Sequence, residues 1–553
     1  IRQGPQGGPG ILPLVGLGLL AERAGARHLR IGYEALAWGR HVNTWQQVWD
    51  LVREVDHPAL GVLLDSFHTL SLKGDPSAIA DIPGDKIFFV QMADAPILAM
   101  DVLEWSRHFR CFPGQGEFDL AGFLAPIIQS GYTGPLSLEI FNDGFRAAPT
   151  RANAADGLRS LLYLEEKTRQ RLAEVAPAVP VDILFETPPA SEYDGIEFLE
   201  FAVDENLAAK LSHWLERLGF VKAGQHRSKS VSLLRQGDIN LILSCEPYSF
   251  AHNFFEAHGP SLCATAIRAK DSAKALERAV AYKGQPYRGL VGPNELELAA
   301  VRAPDGSLIY LVDRWRGKNG AQPGDIGNIG FFDVDFEPLP GVSADEALNP
   351  VGHGLTYIDH LTHNVHRGRM NEWADFYERV FNFREIKYFD IEGQVTGVKS
   401  KAMTSPCGKI RIPINEEGKE KSGQIQEYLD MYKGEGIQHI AMGSDHLYDT
   451  VDALRASGVR LLDTPDTYYE LVEKRIPGHG EPLQALKDRK ILIDGVAGKL
   501  LLQIFSENQL GPIFFEFIQR KGDDGFGNGN FKALFESIEL DQIRRGVLEG
   551  KKA

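Results

Sequence analysis

Short apolar runs alternate with amphipathic segments in the N-terminal quarter of the chain. Runs of continuous apolar character are typical of parallel strands that are buried on both faces. Between the runs, Trp45–Val55 and Leu120–Ser130 carry apolar residues at helical spacing. This β-α-β-α order predicts an α/β fold, either half of a (β/α)8 barrel or part of an open parallel sheet. The predicted strands are Leu29–Leu36, Leu60–Asp65, Ile87–Met92 and Pro135–Ile140.

The pattern changes after a candidate linker. A charged helical stretch over Leu158–Val175 runs into Ala176–Tyr193, which is rich in proline, alanine and small polar residues. Beyond it, strands with alternating patterns are interrupted by single helices such as Ala208–Leu218 and Met370–Val380. The second part of the chain is therefore predicted to be α+β.

An internal repeat follows the linker. GIEFLEFAV (195–203) aligns with YIDHLTHNV (357–365), SLCATAIRAKD (261–271) with a segment ending in IQHIAMGSD (437–445), and IYLVDR (309–314) with FFEFIQR (514–520). A duplicated domain explains these matches. We predict domains over residues 1–165, 193–345 and 346–553, with a linker over 166–192. The second copy has His360, His439 and Glu516 where the first has Phe198, Thr265 and Tyr310.

The net charge and the cysteine content indicate which kinds of molecule the protein is expected to bind. A net charge of −16 opposes binding to nucleic acid and to anionic membranes. The longest uncharged apolar stretch, Gly10–Leu20, is about 11 residues and too short to span a membrane. The four cysteines form no close pair, which favours a reducing cytoplasm over a disulfide framework. Small molecules are therefore the expected partners.

Three residues of the second copy form a candidate metal site. His360 lies 79 residues before His439, which lies 77 residues before Glu516, and all three fall in predicted strands. Two imidazoles and one carboxylate leave positions free for a bidentate substrate and dioxygen, as in non-haem Fe(II) oxygenases. These donors suit Fe(II) or Mn(II) better than a closed structural zinc site. Their joint absence from the first copy favours a shared metal over three separate structural roles.

The second part of the chain resembles bacterial 4-hydroxyphenylpyruvate dioxygenase over roughly Tyr193–Gly546, in segments such as IDHLTHNVHRGRM, GEGIQHIAM and GPIFFEFIQRKGDDGFG. The resemblance implies a duplicated vicinal-oxygen-chelate domain of βαβββ modules. It also implies that His360, His439 and Glu516 bind Fe(II) or another divalent metal, with an aryl 2-oxo acid as substrate. The residues that would line the substrate pocket are Ser400, Asn415, Gln424, Gln438, Gln503, Phe505, Phe514, Phe526, Asn530 and Phe531.

The N-terminal strands carry a second constellation. Each predicted strand ends in an oxygen-bearing side chain, and such ends converge on the mouth of a (β/α)8 barrel, where barrel enzymes place their active sites. Three carboxylates and an amide are suited to Mg(II), Mn(II) or Co(II). The four residues are Glu34, Asp65, Gln91 and Glu139.

Residues from about Leu29 to Leu162 resemble xylose-isomerase-type barrels, most closely the bacterial 3-dehydroshikimate dehydratases that are fused to a dioxygenase-like domain. That resemblance implies that a metal polarises the ketone of 3-dehydroshikimate and that loss of water gives protocatechuate. His68 is the candidate acid or base. Arg107 and Arg110 are candidates for holding the substrate carboxylate.

One feature complicates the barrel interpretation. Only four strands are found before the linker, whereas a (β/α)8 barrel has eight, so we expect the second half of a barrel whose first half is missing. In a complete chain, a half barrel would leave sheet edges unpaired and favour a partner chain. The related dioxygenases are commonly oligomeric, and we expect a homo-oligomer.

Three functions stay open at this stage. The leading hypothesis is a metal-dependent 3-dehydroshikimate dehydratase with a second metal centre in its dioxygenase-like part. One alternative is an Fe(II) dioxygenase with a relic barrel. The other is a C-terminal part that serves as a ligand-binding or assembly module without catalysis.

Overall fold

The computed structural model describes residues 11–147, 149–322, 324–339, 349–392, 397–418, 423–527 and 529–530. The chain divides into two compact units, the first formed by Ile1–Pro189 with Ala281–Lys283 and the second by Ala190–Val280 with Gly284–Ala553. Within the described ranges, no helix is both long enough and apolar enough to cross a membrane.

The first unit contains a four-stranded parallel sheet in the order β1-β2-β3-β4. Short 3-10 turns lie at Ser77–Asp81 and Gly84–Lys86. The strands are β1 (Ile31–Glu34), β2 (Leu60–Asp65), β3 (Ile87–Met92) and β4 (Leu136–Leu138). The helices are α1 (Ile11–Gly25), α2 (Trp45–Val55), α3 (Ser66–Leu70), α4 (Val102–His108), α5 (Leu120–Gln129), α6 (Asp143–Ala147) and α7 (Thr150–Val175).

The predicted alternation of strands and helices is confirmed in this unit. Helix α2 has the predicted bounds, because Thr44 and Gln47 form a capping box at its start. Helix α7 is longer than predicted, since it begins at Thr150 and continues past residue 165. Leu172 of α7 and Leu184 beyond it lie in the apolar core of the first unit. Much of the segment predicted as a linker is therefore packed structure.

The first repeat occupies the start of the second unit. Two short 3-10 turns lie at Lys318–Gly320 and Ile326–Asn328. Its strands are β5 (Tyr193–Ala202), β6 (Val221–His226), β7 (Val231–Gln236), β8 (Ile239–Ser244), β9 (Ser261–Ala269), β10 (Gln285–Tyr287), β11 (Ala299–Arg302), β12 (Leu308–Val312) and β13 (Phe336–Pro338). Its helices are α8 (Glu205–Arg217), α9 (Phe250–His258), α10 (Ser272–Ala281) and α11 (Phe331–Asp335).

The second repeat follows the same plan. Its strands are β14 (Leu355–Asn364), β15 (Arg384–Glu392), β16 (Gly397–Thr404), β17 (Arg411–Glu417), β18 (Gly436–Ser444), β19 (Leu492–Val496), β20 (Lys499–Phe505) and β21 (Phe514–Lys521). Its helices are α12 (Met370–Phe381), α13 (Gln424–Tyr432), α14 (Leu447–Ala456), α15 (Asp466–Glu470), α16 (Val472–Arg475) and α17 (Leu483–Arg489).

The two repeats have matching sheet topology. The first sheet has the order β10-β11-β12-β9-β5-β8-β7-β6-β13, and the second has the order β19-β20-β21-β18-β14-β17-β16-β15 when read in the same direction. Each repeat consists of two modules that start with a strand and a helix and end with three strands. This βαβββ plan confirms the predicted duplication, and it makes the second unit α+β as expected.

The strand register corrects one predicted equivalence. In the second repeat, His439 pairs with Thr362 and Phe514. The residue at the matching position of the first repeat is Ala264, which pairs with Glu200 and Leu308. The prediction of Thr265 was wrong by one residue, which places Thr265 on the opposite face of the strand. The register supports the other two equivalences. Phe198 and Tyr310 both pair with Ala266 in the first repeat. In the second repeat, His360 and Glu516 both pair with Ala441.

A buried ionic cluster joins α12 to the start of β18. Glu435 accepts hydrogen bonds from Arg369 Nη1 at 2.7 Å, Trp373 Nε1 at 2.9 Å and the His366 backbone N–H at 2.9 Å. Arg369 also pairs with Glu372. Because β18 carries His439, this cluster helps to fix the strand on which a candidate ligand lies.

We expect Glu435→Ala to lower the free energy of unfolding by about 3 kcal/mol, because it leaves a buried guanidinium and an indole N–H short of partners. Differential scanning calorimetry of the full chain measures the effect. Glu427→Ala, at an exposed position of α13, is the matched control and should change the transition little. Equal transitions for the two variants would contradict the stabilising role of Glu435.

Two candidate metal centres

Three donor atoms converge in the second repeat. His360 Nε2 lies 3.1 Å from Glu516 Oε2, His439 Nε2 lies 3.4 Å from the same oxygen, and the two imidazole nitrogens are 3.3 Å apart. His360 and Glu516 are each 2% exposed. The three residues come from β14, β18 and β21, which are neighbours in the sheet.

The spacing of these donors fits a divalent metal. Two ligands at right angles on an ion with bonds of about 2.1 Å are about 3.0 Å apart, close to the separations found here. Protein groups that merely fill a core do not bring two imidazole nitrogens and a carboxylate oxygen to one point. Three protein ligands leave the remaining positions of an octahedral ion open to other molecules.

Asp359 orients the His360 ring. The Nδ1 atom of His360 lies 2.8 Å from Asp359 Oδ1, so Nδ1 carries the proton and Nε2 is free to bind a metal. Arg520 holds the same carboxylate with two hydrogen bonds of 2.7 Å. The sequence analysis did not identify Asp359 or Arg520, although Asp359 is adjacent to a predicted ligand.

A second chain of contacts positions Glu516. Gln503 Nε2 donates to Glu516 Oε1 at 2.6 Å, and Asn530 Nδ2 donates to Gln503 Oε1 at 2.6 Å. Tyr468 and Arg475 then donate to Asn530 Oδ1. Gln503 and Asn530, predicted to contact substrate, therefore also support a candidate ligand. Tyr468 and Arg475 were not predicted from the sequence.

The charges of the cluster are those of a cation site. Burial acts against a charge on His360, but the nearby Glu516 and Asp359 carboxylates outweigh it and raise the pKa of His360 to about 9. Burial, with a smaller contribution from the charge of His360, lowers the pKa of His439 against the opposing effect of Glu516. The carboxylates thus retain a proton on one histidine, and metal binding would release that proton.

The aromatic residues predicted for this pocket lie beside the donors. Phe514 stacks on His439 with ring centroids 4.9 Å apart, and Phe526 meets the His360 ring edge-on at 5.3 Å. Phe505 lies next to Phe514, with ring centroids 6.1 Å apart. These rings shield the two imidazoles from water.

The remaining predicted pocket residues have mixed positions. Gln438 Oε1 lies 3.4 Å from His439 Nδ1. Ser400 and Asn415 face each other across β16 and β17, which places them on one face of the sheet. Gln424 is exposed at the start of α13, and none of the contacts among the described residues joins it to the donors. Phe531 lies outside the described residues.

The first unit contains the other predicted cluster. Glu34, Asp65 and Gln91 lie in β1, β2 and β3, and Glu139 follows β4 directly, so all four are at the same edge of the sheet. Gln91 Nε2 donates to Glu139 Oε1 at 2.9 Å. One oxygen of Glu34, one oxygen of Asp65 and one nitrogen of His68 all lie within 4.8 Å of one another. The structure therefore brings His68 to the predicted donors.

Arg110 lies among these donors. Its Nη1 atom donates to Asp65 Oδ2 at 3.0 Å and to Glu139 Oε2 at 2.8 Å. Ser106 accepts from both Nε and Nη2, and the guanidinium lies over the Phe67 ring at 4.6 Å. Arg110 is 1% exposed. Ser106 and Phe67 were not identified from the sequence.

Arg107 does not join this cluster. It is exposed on α4, and among the described residues it makes no ion pair with the predicted donors. The two arginines differ because Arg107 lies within the helix on its solvent side, whereas Arg110 follows the end of the helix.

Both ring nitrogens of His68 have polar neighbours. The backbone N–H of Ala37 donates to Nδ1 at 3.2 Å, which favours a proton on Nε2. Nε2 lies 3.6 Å from Glu34 Oε1 and 3.4 Å from Nη2 of Arg110. Burial, followed by the charge of Arg110, lowers the pKa of His68 to about 3. The ring is therefore neutral near pH 7.

Two orphaned oxygens fit a metal at this cluster. Glu34 Oε1 and Gln91 Oε1 are buried and accept no hydrogen bond within the described part of the chain. Burial and the charges of Asp65 and Glu139 raise the pKa of Glu34 to about 7. Buried acceptor oxygens without partners are costly, and a cation bound to them would remove that cost.

The fold and both clusters define a fusion of a barrel-type domain with a duplicated vicinal-oxygen-chelate domain. Three family models match this division. The xylose isomerase-like TIM barrel model matches residues 15–164, the N-terminal hydroxyphenylpyruvate dioxygenase model matches 185–337, and the glyoxalase, bleomycin resistance protein and dioxygenase superfamily model matches 357–472.

Relatives span almost the whole chain. A 3-dehydroshikimate dehydratase of Pseudomonas putida is 57% identical over 516 residues, which cover 93% of this chain and 78% of the relative. A 4-hydroxyphenylpyruvate dioxygenase of Pseudomonas sp. is 54% identical over 64% of this chain and 96% of its own length. A solved xylose isomerase-like TIM barrel/4-hydroxyphenylpyruvate dioxygenase fusion protein has a TM-score of 0.79 at 55% identity, with 95% of this chain and 81% of that chain covered.

The chain belongs to the 3-dehydroshikimate dehydratases that carry a hydroxyphenylpyruvate-dioxygenase-like domain. Both resemblances predicted from the sequence are thereby confirmed. A dioxygenase-like domain of this kind implies a divalent metal such as Fe(II).

We expect Asp359→Asn to weaken metal binding at the second repeat by about 10–100-fold, because the amide no longer fixes the His360 tautomer. Titration calorimetry with Co(II) measures the affinity, in a Glu139→Gln background that weakens the barrel centre. Asp488→Asn, at an exposed position of α17, is the control. An affinity equal to that of the control would contradict the role of Asp359.

Proposed function

We propose that the chain converts 3-dehydroshikimate to protocatechuate at the barrel centre. The observation that carries this proposal is the convergence of four oxygen-bearing side chains at one edge of a parallel sheet, with Glu34 Oε1 and Gln91 Oε1 lacking hydrogen bonds. The name and 57% identity of the Pseudomonas putida relative support the same chemistry. Glu34, Asp65, Gln91 and Glu139 would hold Mg(II), Mn(II) or Co(II).

The reaction needs a polarised ketone and two proton movements. A bound divalent ion would draw electrons from the ketone and acidify the neighbouring carbon. A proton leaves that carbon, and the hydroxyl on the next carbon takes up a proton and leaves as water. The ring loses one water in total and then becomes aromatic by tautomerisation.

His68 is our candidate for assisting departure of the hydroxyl. Because the Ala37 N–H donates to Nδ1, this contact favours a proton on Nε2, where the ring can act as a donor. The geometry thus favours His68 as a hydrogen-bond or proton donor over a base. A neutral imidazole can polarise an oxygen in this way.

Arg110 is better suited to a positioning role than to a substrate clamp. Its N–H groups already donate to Asp65, Glu139 and Ser106. The guanidinium therefore holds two candidate ligands in place and offsets part of their charge. The exposed Arg107 has no corresponding contact with the centre.

We also propose that His360, His439 and Glu516 bind Fe(II) or another divalent metal for a dioxygenase-type reaction. The aromatic rings of Phe514 and Phe526 beside the two imidazoles favour an aryl 2-oxo acid as its substrate. Turnover of 4-hydroxyphenylpyruvate in air tests this activity. Metal binding without turnover would favour the alternative of a ligand-binding or assembly module.

Three further expectations remain proposals. The net charge of −16 and the four free cysteines support small-molecule partners and a cytoplasmic location, without binding to nucleic acid or membranes. The resemblance to oligomeric dioxygenases supports a homo-oligomer. Light scattering of the purified full chain measures its oligomeric state.

We expect Glu139→Gln to reduce protocatechuate formation by about 100-fold or more. Loss of a metal ligand should have a larger effect than loss of a residue that only hydrogen-bonds to a metal ligand. Absorbance of the product in a dehydratase assay measures the rate. His439→Ala is the matched control for a metal-ligand substitution, and it should leave this rate within about twofold. A full-length protein that does not turn over 3-dehydroshikimate would refute the proposal.

We expect Arg110→Lys to lower kcat by about 10–100-fold, because an ammonium cannot donate to two carboxylates as a fork. Arg107→Lys makes the same chemical change at an exposed position and should have no effect. Co(II) affinity of the barrel centre distinguishes positioning from general stability, and it should fall for Arg110→Lys alone. Equal kinetics for the two variants would contradict the positioning role.

A further inference from the structure

The first repeat contains a cavity of about 320 Å³ that belongs to neither metal centre. A volume of this size lies at the lower end of the range for small-molecule sites. Aromatic side chains supply much of its wall. They are Phe198, Phe250, Tyr287, Tyr310, Phe331 and Phe336.

This cavity lies on the sheet face that carries the metal ligands in the second repeat. Phe198 and Tyr310 are at the register positions of His360 and Glu516. Glu200 pairs with Ala264 as Thr362 pairs with His439. The duplicated framework therefore retains a binding face from which the metal ligands are missing.

Glu200 contributes a carboxyl group to the aromatic cavity. Burial raises the pKa of Glu200 to about 7, and the Ser244 hydroxyl bonds to its side chain. Tyr310 lines the same cavity, and burial together with the charge of Glu200 raises the pKa of its hydroxyl well above the usual value. Lys229 is already occupied, because its Nζ donates to Glu295 Oε2 at 2.7 Å and to the Leu290 carbonyl at 3.3 Å.

The cavity mouth carries two exposed apolar side chains. Tyr248 is 91% exposed and Leu290 is 93% exposed, and both line the cavity. Tyr248 also has a φ of 59°, a conformation that costs energy for a residue other than glycine. A ligand in the cavity would bury part of both side chains.

The charge of the lining selects among aromatic ligands. Glu246, Glu297 and Asp335 line the cavity beside Glu200, whereas Lys229 is the cation of the set. This excess of acidic groups opposes an aryl carboxylate. A carboxyl group that is protonated in apolar surroundings can donate to a neutral oxygen.

We propose that the first-repeat cavity binds a small uncharged phenol, with its ring between the aromatic walls and its hydroxyl on Glu200 and Tyr310. The walls provide stacking and edge contacts for one ring. The two polar side chains line the same cavity and provide a donor and an acceptor for the phenol hydroxyl. This site is separate from the proposed dehydratase chemistry, and its test is a binding measurement.

Titration calorimetry of the full chain with phenol tests the proposal. We expect saturable binding that is weakened about tenfold by Tyr310→Phe and at least as much by Glu200→Leu. Glu200→Gln keeps a donor and an acceptor and should retain part of the affinity. Glu256→Leu, at an exposed position of α9, is the matched control and should bind phenol like the parent protein.

Two charged probes test the electrostatic argument. Benzoate should bind more weakly than phenol, because the acidic lining repels its carboxylate. Tyramine adds a positive charge to a phenol, and tighter binding of either tyramine or benzoate than of phenol would overturn the assignment of an uncharged ligand. Absence of saturable phenol binding, or equal phenol affinity in the parent protein, Tyr310→Phe and Glu200→Leu, would overturn the site itself.

Discussion

The register of three adjacent strands determines the metal centre of the second repeat. Ala441 of β18 pairs with His360 on one side and with Glu516 on the other. Because directly opposed residues share a face, the small side chain of Ala441 leaves space between the two donors, and His439 reaches the same space from two positions earlier in β18. A slip of one residue in β18 would turn His439 to the opposite face.

Register irregularities flank this arrangement. The pairing of β14 with β18 shifts between Ile358 and His360 and again between Thr362 and His363. Such bulges re-aim side chains and are common beside functional sites. They explain why a period of two along the strand does not by itself give the direction of each side chain.

The sequence predicts most of the secondary structure and the candidate metal ligands, but it predicts fewer of the residues that hydrogen-bond to those ligands. Helix α2 was predictable because its apolar spacing and its capping box agree. The ligands were identified because the repeat comparison separates them from the first copy. Thr265 was misassigned because the two copies were aligned on the aspartates that follow the strands. A one-residue difference between the copies at that point cannot be recognised from the sequence alone. Contacts between distant segments, such as Asp359 with Arg520, have no local signature.

Both candidate metal centres use an arginine fork to hold a carboxylate. In the first unit, Arg110 binds two candidate ligands directly. In the second repeat, Arg520 binds Asp359, which in turn orients His360. The two arrangements differ in distance from the ion, because the first places positive charge among the ligands and the second places it one residue further away. In the first unit one arginine therefore faces three carboxylates, whereas in the second repeat Arg520 balances Asp359 and a protonated His360 balances Glu516.

The first repeat has the same strand framework as the second repeat but lacks the candidate metal ligands. Phe198 and Tyr310 replace two donors, yet Glu200 keeps a carboxyl group on the same face. An apolar residue of similar volume at this position would avoid the cost of enclosing that group. A carboxyl group that persists in such surroundings, in an aromatic cavity that Tyr310 also lines, is more readily explained by a ligand than by the stability of the fold.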